Sequence, residues 1–131
     1  DWIQIELEYP QKALECADLA LVASGTATLE AAVFGTPMII IYKMASFSWW
    51  ISRLLVSIPF AGMVNIIAKK EIMPELLQEN ATPERVFSTA SSILKNPEKI
   101  EKMVADLKEV QVKLKGVGAS NKAATYILEL K

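Results

Sequence analysis

The stretch DLALVASGTATLEAAVFGTPMIIIY, residues 18–42, decides the fold of this 131-residue chain. Its two apolar runs, Leu19–Ala23 and Met38–Tyr42, are typical of strands that are buried on both faces of a parallel sheet. The run between them, Thr26–Phe34, predicts a helix that ends at Gly35, because glycine readily takes the left-handed conformation at a helix C-terminus. Strand, helix and strand in this order indicate a βαβ unit with a right-handed crossover, which places the chain in the α/β class.

Outside that unit, periodicity and capping residues predict further elements. On the N-terminal side, Trp2–Glu8 alternates apolar and polar residues and predicts a strand, and Gln11–Ala17 predicts a short helix. On the C-terminal side, the predicted elements are a helix over Phe47–Val56, an extended segment at Val64–Ala68, and helices from Pro74 to about Glu79, from Thr82-Pro83, from Asn96-Pro97 and from Ser120.

The composition excludes several classes of function. The chain has 14 Lys+Arg and 15 Asp+Glu residues, a net charge of −1, and no basic run of the kind that binds a nucleic-acid backbone. It contains no His, which excludes His-based acid–base chemistry, Ser-His and Cys-His triads and His-ligated metals within this chain. Its one cysteine, Cys16, excludes an internal disulfide and fits a reducing cytosol.

The length and the first residue lead to expectations about domain organisation. A chain of 131 residues is long enough for one domain, and we divide it into a βαβ part over residues 1–62 and a mainly helical part over 63–131. The chain begins with Asp1 instead of Met and a strand pattern follows at once, so we expect a piece of a longer protein. We find no signal-peptide pattern, and no uncharged apolar run reaches the roughly 18 residues that a membrane span needs.

The turn Ser24-Gly25-Thr26 is the strongest candidate for a binding site. It joins the carboxyl end of a predicted parallel strand to the start of a helix, where free N–H groups and the helix dipole attract an anion, usually phosphate. Gly25 permits a close approach of the backbone, and Ser24 and Thr26 add hydroxyl groups. The alternative interpretation is that Ser24 or Thr26 caps the helix with its side chain.

Glu30 is the second candidate, one turn inside the same apolar helix. A capping box would need a capping residue three positions earlier, and that residue is Ala27, which cannot cap. A carboxylate at this point is well placed to accept hydrogen bonds from sugar hydroxyls beside a phosphate at the helix start. The alternative interpretation is that Glu30 lies on a solvated helix face.

Two blocks of sequence carry a resemblance to a known family. The first, ASGTATLEAA at residues 23–32 followed by GTPMIIIYK at residues 35–43, resembles the donor-nucleotide half of GT-B glycosyltransferases. The second is VNIIAKKEIMPELLQ at residues 64–78, and both blocks together closely resemble the lipid-A-disaccharide synthase family. The resemblance extends from about Tyr9 to the end of the chain. It implies the C-terminal part of a GT-B fold, with a Rossmann-like parallel sheet flanked by helices and a helical C-terminal segment.

The resemblance also implies a reaction and its partners. Members of the family join UDP-2,3-diacylglucosamine to 2,3-diacylglucosamine 1-phosphate, with inversion at the anomeric carbon, and release UDP. For this chain the resemblance implies the same acylated substrates, no metal or other cofactor, and a location in the bacterial cytoplasm at the surface of the inner membrane. It further implies a homodimer that exchanges C-terminal segments. The general base is expected outside this chain, so we expect the chain alone to lack transferase activity.

Site residues follow from the same resemblance. Ser24, Gly25 and Thr26 are implied to contact the UDP diphosphate, and Glu30 to bind the ribose hydroxyls. Asn65 matches an asparagine that is implicated in the active site, and we treat it as the catalytic candidate of this chain.

Further active-site candidates come from the second block, and two of its positions depart from the family pattern. Glu75 and Gln78 match the Glu-Leu-Leu-Gln element of the family. Val64 stands where proline is usual and Lys69 where glycine is usual, so the backbone around the asparagine is expected to differ. Lys43 follows the strand at the end of the first block, where it either balances phosphate charge or lies in solvent.

Two other kinds of function are open on the sequence. One is a different GT-B enzyme, such as a UDP-GlcNAc transferase of peptidoglycan synthesis or a UDP-GlcNAc 2-epimerase, because both have a phosphate-binding turn followed by a glutamate. The other is a non-catalytic α/β module that binds a membrane or a protein partner through an apolar face, called here the Trp49/Trp50 face. That face either packs on the sheet or on another domain, or contacts lipid. Its residues are Trp49, Trp50, Leu54, Leu55, Ile58 and Phe60.

Overall fold

A computed structural model of the chain describes residues 3–43, 60–115 and 119–129. The helix predicted over Phe47–Val56 lies outside these residues, as does the Trp49/Trp50 face apart from Phe60. Among the helices of the described ranges, none is long and apolar enough to cross a membrane.

Three parallel strands form one sheet at the centre of the fold. They are β1 (Ala20–Ala23), β2 (Met38–Tyr42) and β3 (Glu75–Leu77), and β2 lies between the other two. In the register, Ala20 pairs with Met38, and Tyr42 pairs with Leu77. The predicted α/β class with a Rossmann-like parallel sheet is confirmed, since each crossover between neighbouring strands contains helix.

Six helices surround the sheet in the described part of the chain, and their starts follow the predicted capping residues where these exist. The side chain of Thr82 accepts a hydrogen bond from the Arg85 N–H at 3.3 Å, and that of Asn96 accepts one from the Lys99 N–H at 3.2 Å. The helices are α1 (Pro10–Cys16), α2 (Ala27–Phe34), α3 (Met63–Ala68), α4 (Pro83–Leu94), α5 (Pro97–Leu114) and α6 (Ala119–Glu129), and a 3-10 turn covers Gln78–Asn80.

The core lies between β2 and the apolar faces of α2, α3, α4 and α5, and it includes the fully buried Ile93 of α4. The predicted apolar stripe of α5 provides its outer layer, with Leu107 fully buried. Gln111 of the same helix donates from Nε2 to the carbonyls of Ala32 (2.7 Å) and Val33 (3.0 Å), which satisfies the last turn of α2. Gly35 ends α2 with a φ of 75°, as predicted.

The predicted N-terminal strand is wrong. Residues 3–9 form neither strand nor helix, and the side chains of Ile5 and Leu7 are 82% and 85% exposed. An alternating segment is stable as a strand only where its apolar side is covered, and residues 3–9 pair with none of the three strands. Burial on both faces is also wrong for β1, because Leu21 is 56% exposed, whereas Met38–Ile40 of β2 are fully buried.

The second block of sequence also folds differently from its prediction. The extended segment predicted at Val64–Ala68 is helical as part of α3. Its four apolar residues and one asparagine fit a helix or a strand equally well, so the pattern alone does not distinguish the two. The helix predicted from Pro74 to Glu79 is wrong, since Glu75–Leu77 forms β3 and a 3-10 turn follows it. The Pro74 carbonyl accepts the Ile40 N–H at 2.9 Å, so the sheet pairing with β2 decides the conformation there.

Candidate functional site

Several of the predicted site residues lie at the edge of the sheet where all three strands end, whereas Glu75 begins β3. Ser24 follows β1, Lys43 follows β2 and Gln78 follows β3, and parallel strands end at the same edge. Neighbouring strands lie about 4.8 Å apart, so β1 and β3 end roughly 10 Å from each other with β2 between them. Open α/β sheets bind their ligands at this edge.

The turn after β1 presents free backbone donors. The N–H groups of Gly25, Thr26 and Ala27 donate to no atom of the described residues, whereas those of Thr28 and Leu29 already bond within the turn. Gly25 has a φ of 135°, and a Cβ placed on it would meet no atom of the described residues within 4 Å. Three consecutive N–H groups at the N-terminus of a helix, beside open space, form a site that favours an anion.

Thr28, which the sequence analysis did not single out, fixes the orientation of this turn. Its hydroxyl donates to the Gly25 carbonyl at 2.7 Å, and its side chain is fully buried. In a trans peptide the carbonyl and the N–H point in opposite directions, so the Thr26 N–H is directed away from the helix. The signal for this role is a threonine in the first helical turn, where a short hydroxyl side chain can bond to the backbone three residues earlier.

Ser24 connects the turn to the segment before α3. Its N–H donates to the Ile41 carbonyl at 3.1 Å, which continues the pairing of β1 with β2, and its hydroxyl donates to the Ala61 carbonyl at 2.7 Å. The alternative prediction of a side-chain cap is wrong in the described structure: Thr26 occupies the N-cap position, but no side chain accepts a capping bond there.

Glu30 lies on α2 four residues after the N-cap, which corresponds to about 6 Å along the helix axis. Its side chain is exposed, and it forms no hydrogen bond or ion pair with the described residues. A capping box with Thr26 would require the glutamate one position earlier. An exposed, unpaired carboxylate fits the ribose contact and the solvated face equally well, so the role of Glu30 stays a prediction.

Asn65 is fully buried, and its amide is used entirely by hydrogen bonds within the protein. Its Nδ2 donates to the Met73 carbonyl at 2.8 Å and to Glu75 Oε1 at 2.7 Å. Its Oδ1 accepts the N–H groups of Ile72 and Met73, both at 3.0 Å. The asparagine therefore orders the chain between α3 and β3, where the backbone has no ladder partner of its own.

Glu75 is the centre of this hydrogen-bond network. Besides the Asn65 amide, its carboxylate accepts the Ala61 N–H at 2.8 Å and the Gly62 N–H at 2.9 Å. Glycine fits closely at 62, because a Cβ there would overlap Cδ1 of Ile40 and force that side chain to shift. Sequence reasoning missed Ala61 and Gly62, since both contribute through backbone N–H groups that any residue except proline provides.

Two residues near this network have a left-handed backbone. Lys69, which ends α3, has a φ of 59°, and Gln78, which follows β3, has a φ of 52°. The left-handed conformation is the one that glycine adopts without strain. Lys69 thus has a backbone conformation that a glycine would adopt without strain, and the expected difference from the family around Asn65 stays a prediction.

A second polar cluster joins the end of α3 to α5. The Asp106 carboxylate accepts hydrogen bonds from Lys70 Nζ at 2.6 Å and from Lys102 Nζ at 2.7 Å. Burial raises the pKa of the Asp106 carboxyl, but the bonds from Lys102 and Lys70 outweigh it and hold that pKa below its ordinary value. The cluster fixes the segment that leads from α3 into β3.

Comparison with known proteins identifies the family. The sequence profile described as lipid-A-disaccharide synthetase matches residues 3–129. The chain belongs to the lipid-A-disaccharide synthetase family. The resemblance carried by the two sequence blocks is thereby confirmed.

Curated relatives in this family are similar to the chain over most of its length. A lipid-A-disaccharide synthase of Syntrophus aciditrophicus is 43% identical over 118 residues, which is 90% of this chain and 31% of the relative. One of Solibacter usitatus is 44% identical over 119 residues, again 90% of this chain and 31% of the relative. One of Dechloromonas aromatica is 38% identical over 121 residues, 92% of this chain and 31% of the relative. The chain thus spans about a third of the length of these synthases.

The predicted site residues of this member of the lipid-A-disaccharide synthetase family differ in what their groups can contact. The turn at Gly25 has free donors and open space, and Glu30 has a free carboxylate one helical turn away. Asn65 and Glu75 lie behind the segment at residues 60–62 and bond to the protein. Gln78 shares the edge of the sheet with the turn.

Proposed function

We propose that the chain binds the donor substrate of a glycosyltransferase that forms the lipid A disaccharide. In this proposal the donor is UDP-2,3-diacylglucosamine, the acceptor is 2,3-diacylglucosamine 1-phosphate, and UDP is released. The observation that carries the proposal is the set of three free N–H groups at Gly25, Thr26 and Ala27 beside open space. Family membership supports the choice of a nucleoside diphosphate as the anion.

The arrangement suits a diphosphate that becomes a leaving group. As the bond between the anomeric carbon and the diphosphate oxygen breaks, negative charge develops on the diphosphate. Backbone donors that are already oriented stabilise this charge without reorganising, and the dipole of α2 adds to the effect. Lys43 is exposed at the end of β2 and supplies a cation at the same edge of the sheet. The proposal therefore balances the diphosphate charge without invoking a metal ion or another cofactor.

Glu30 would bind the ribose of the same nucleotide. Ribose hydroxyls are donors, and a carboxylate has only acceptors, so the pair is complementary. The distance of about 6 Å along α2 between Thr26 and Glu30 matches a sugar that is attached directly to the bound phosphate. Asn65 has no free amide group for substrate, so its contribution to the reaction would be indirect. Gln78 is a candidate for substrate contact through its place at the sheet edge.

The location of the reaction follows from its substrates. Both proposed substrates carry acyl chains, so the enzyme would work at the surface of the bacterial cytoplasmic membrane. The proposed homodimer and the general base outside this chain concern the whole enzyme.

The proposal is tested by titrating UDP into the chain while the backbone amide resonances are recorded, with uridine as the phosphate-free control ligand. We expect UDP to shift the amides of Gly25, Thr26 and Ala27, and uridine to leave them in place. Gly25→Ala should weaken UDP binding at least about tenfold, because its methyl group fills the open space beside the donors and the positive φ is strained.

The matched control is Gly35→Ala at the other end of the same helix. Gly35 also has a positive φ, so its substitution likewise strains the backbone, by about 1 kcal/mol or more. UDP affinity should stay within about twofold of the original in the control, since Gly35 lies away from the proposed donors. Unshifted amides at residues 25–27, or equal losses of affinity in the two variants, would contradict the proposal.

A further inference from the structure

A continuous series of hydrogen bonds connects the start of β3 to the turn after β1. Asn65 Nδ2 bonds to the Glu75 carboxylate at 2.7 Å, and that carboxylate accepts the Ala61 and Gly62 N–H groups at 2.8 and 2.9 Å. The Ala61 carbonyl then accepts the Ser24 hydroxyl at 2.7 Å. The peptide group of residues 61 and 62 is thus bonded through its N–H to Glu75 and through its carbonyl to Ser24.

We propose that Glu75 is a positioning residue for the diphosphate site. Its carboxylate fixes the segment at residues 60–62, and the Ala61 carbonyl fixes Ser24, the residue that precedes the free N–H groups. The inference rests on the proposed function for its ligand, but the connection from Glu75 to Ser24 is a property of the protein alone. Glu75 acts on the nucleotide through Ser24, because its oxygens are already bonded to three donors of the protein.

Ser24 can transmit a change at Glu75 to the turn, because two separate hydrogen bonds hold it. Its N–H is bonded to the Ile41 carbonyl of β2, which sets its position along the sheet. Its hydroxyl is bonded to Ala61, which sets its rotation about the strand direction. When the hydroxyl loses its bond to Ala61, the bond from the Ser24 N–H to Ile41 stays intact. The sheet therefore stays paired while the peptide groups at Gly25 and Thr26 change their direction.

The chemistry of the network requires a carboxylate at position 75. All three of its partners are N–H donors: Oε1 accepts two of them and Oε2 accepts the third. A glutamine side chain has one acceptor oxygen and one NH2 group, so its NH2 would face an N–H of Ala61 or Gly62. An aspartate would be shorter by one C–C bond of about 1.5 Å and would not reach the segment.

The first test compares Glu75→Gln with Glu79→Gln in the absence of ligand. Glu79 lies four residues later in the 3-10 turn, is exposed, and forms no bond with the described residues, so it controls for the loss of one carboxylate. We expect Glu75→Gln to shift the amide resonances of Ser24 to Ala27, and Glu79→Gln to leave them unchanged. Unchanged resonances at Ser24 to Ala27 in the Glu75 variant would overturn the proposal, whether or not the chain binds UDP.

The second test is a double-mutant cycle on UDP affinity with Glu75→Gln and Ser24→Ala. If Glu75 acts through Ser24, each single variant should bind UDP about tenfold more weakly, and the double variant no more than about twofold more weakly than Glu75→Gln alone. Glu79→Gln should bind UDP as the original chain does. Losses that multiply in the double variant would mean that Glu75 and Ser24 act independently, and the proposal would fail.

Ser24→Thr keeps the inference testable if Glu75→Gln does not fold. Threonine retains a hydroxyl that can donate to Ala61, so it should restore the resonance positions and the affinity that Ser24→Ala loses. If Ser24 acted only through the volume of its side chain, Ser24→Thr would not bind UDP more tightly than Ser24→Ala. If the original chain does not bind UDP at residues 25–27, the proposed function fails, and the ligand-free comparisons still decide the positioning role.

Discussion

Replacing the buried Asn65 by aspartate keeps the shape of the side chain and exchanges its NH2 group for an oxygen. That group donates to the Met73 carbonyl at 2.8 Å and to Glu75 Oε1 at 2.7 Å. After Asn65→Asp, a carboxylate oxygen would face the Met73 carbonyl and the negatively charged Glu75 carboxylate, which are both acceptors. The other oxygen of the new side chain could still accept the two backbone N–H groups that Asn65 Oδ1 accepts now.

The cost follows from the charges and the lost donors. Two carboxylates whose charges lie about 4 Å apart repel by about 4 kcal/mol at an effective dielectric constant near 20. The alternative is that the pair takes up a proton, which for a carboxyl of ordinary pKa near 4 costs about 4 kcal/mol at pH 7. The proton restores one of the two donor bonds, and the missing bond adds about 1 kcal/mol or more. We therefore expect Asn65→Asp to lower the free energy of unfolding by about 4 to 6 kcal/mol at pH 7.

The pH dependence has a definite sign. The folded variant binds one proton that the unfolded chain, with carboxyls of ordinary pKa, does not bind near neutrality. Stability therefore rises as the pH falls, by about 1.4 kcal/mol per unit, until the carboxyls of the unfolded chain also become protonated near pH 4. The loss relative to the original chain should shrink from about 5 kcal/mol at pH 7 to about 2 kcal/mol at pH 5.

The assay is urea denaturation at pH 7, 6 and 5, followed by circular dichroism, with Asn96→Asp as the matched control. Asn96 caps α5 by accepting the Lys99 N–H, and an aspartate can accept the same bond next to the positive end of the helix dipole. The control should change the free energy of unfolding by less than about 0.5 kcal/mol. Equal effects of the two substitutions, or a loss at position 65 that does not shrink in acid, would refute this account of the Asn65 network.

Two further substitutions test the packing around the same segment. Gly62→Ala should lower the free energy of unfolding by about 1 to 3 kcal/mol, because the new methyl group overlaps the fully buried Ile40 side chain; a loss below about 0.5 kcal/mol in urea denaturation would contradict that contact. Asp106→Asn should cost about 1 kcal/mol at pH 7. Because Lys102 and Lys70 hold the pKa of Asp106 below its ordinary value, the stabilisation is present above that ordinary value and is lost as the pH falls through the folded value. The difference between this variant and the original chain should therefore shrink as the pH falls below about 4, and a difference that stays constant into acid would exclude the ionised carboxylate as its source.

The parts of the fold that the sequence predicted are those with local signals. Met38–Tyr42 is a continuous apolar run after proline, and its strand bounds match the prediction. Thr82 and Asn96 each precede a proline and cap a helix as predicted, since the side-chain bond forms within three residues. Gly35 ends α2 for a similarly local reason, its left-handed backbone.

The secondary-structure predictions failed where contacts with residues far away in the sequence decide the conformation. Residues 3–9 alternate like a strand, but they pair with none of the three strands, and the edge of β1 away from β2 has no strand beside it in the described residues. Val64–Ala68 has a composition that suits a strand or a helix. It is helical here with Val64 and Asn65 as its buried residues. Contacts between segments that lie far apart in sequence are not encoded in the periodicity of either one.

The candidate site divides in the same way. The turn at Ser24-Gly25-Thr26 could be predicted, because a strand, a small turn and a helix in succession are local features. The series of bonds from Glu75 to Ser24 could not, since it passes through the backbone of Ala61, 37 residues from Ser24 and 14 from Glu75. The resemblance to the family pointed to Asn65 and Glu75, but only the geometry shows what their side chains touch.

The hydrogen bonds around β3 and around the turn after β1 show which backbone donors the protein itself satisfies. Ile72 and Met73 precede β3 without a ladder partner, and Asn65 satisfies their N–H groups. Ala61 and Gly62 enter α3 with N–H groups that Glu75 satisfies. Buried backbone groups are expensive to leave unpaired, so the two polar side chains of the second sequence block are first required by the fold. The donors at residues 25–27 have no such partner in the described part of the chain, although the same network reaches the residue before them. In the proposed function, the three adjacent donors at residues 25–27, beside the open space that the described residues leave over Gly25, would be satisfied by an anion from outside.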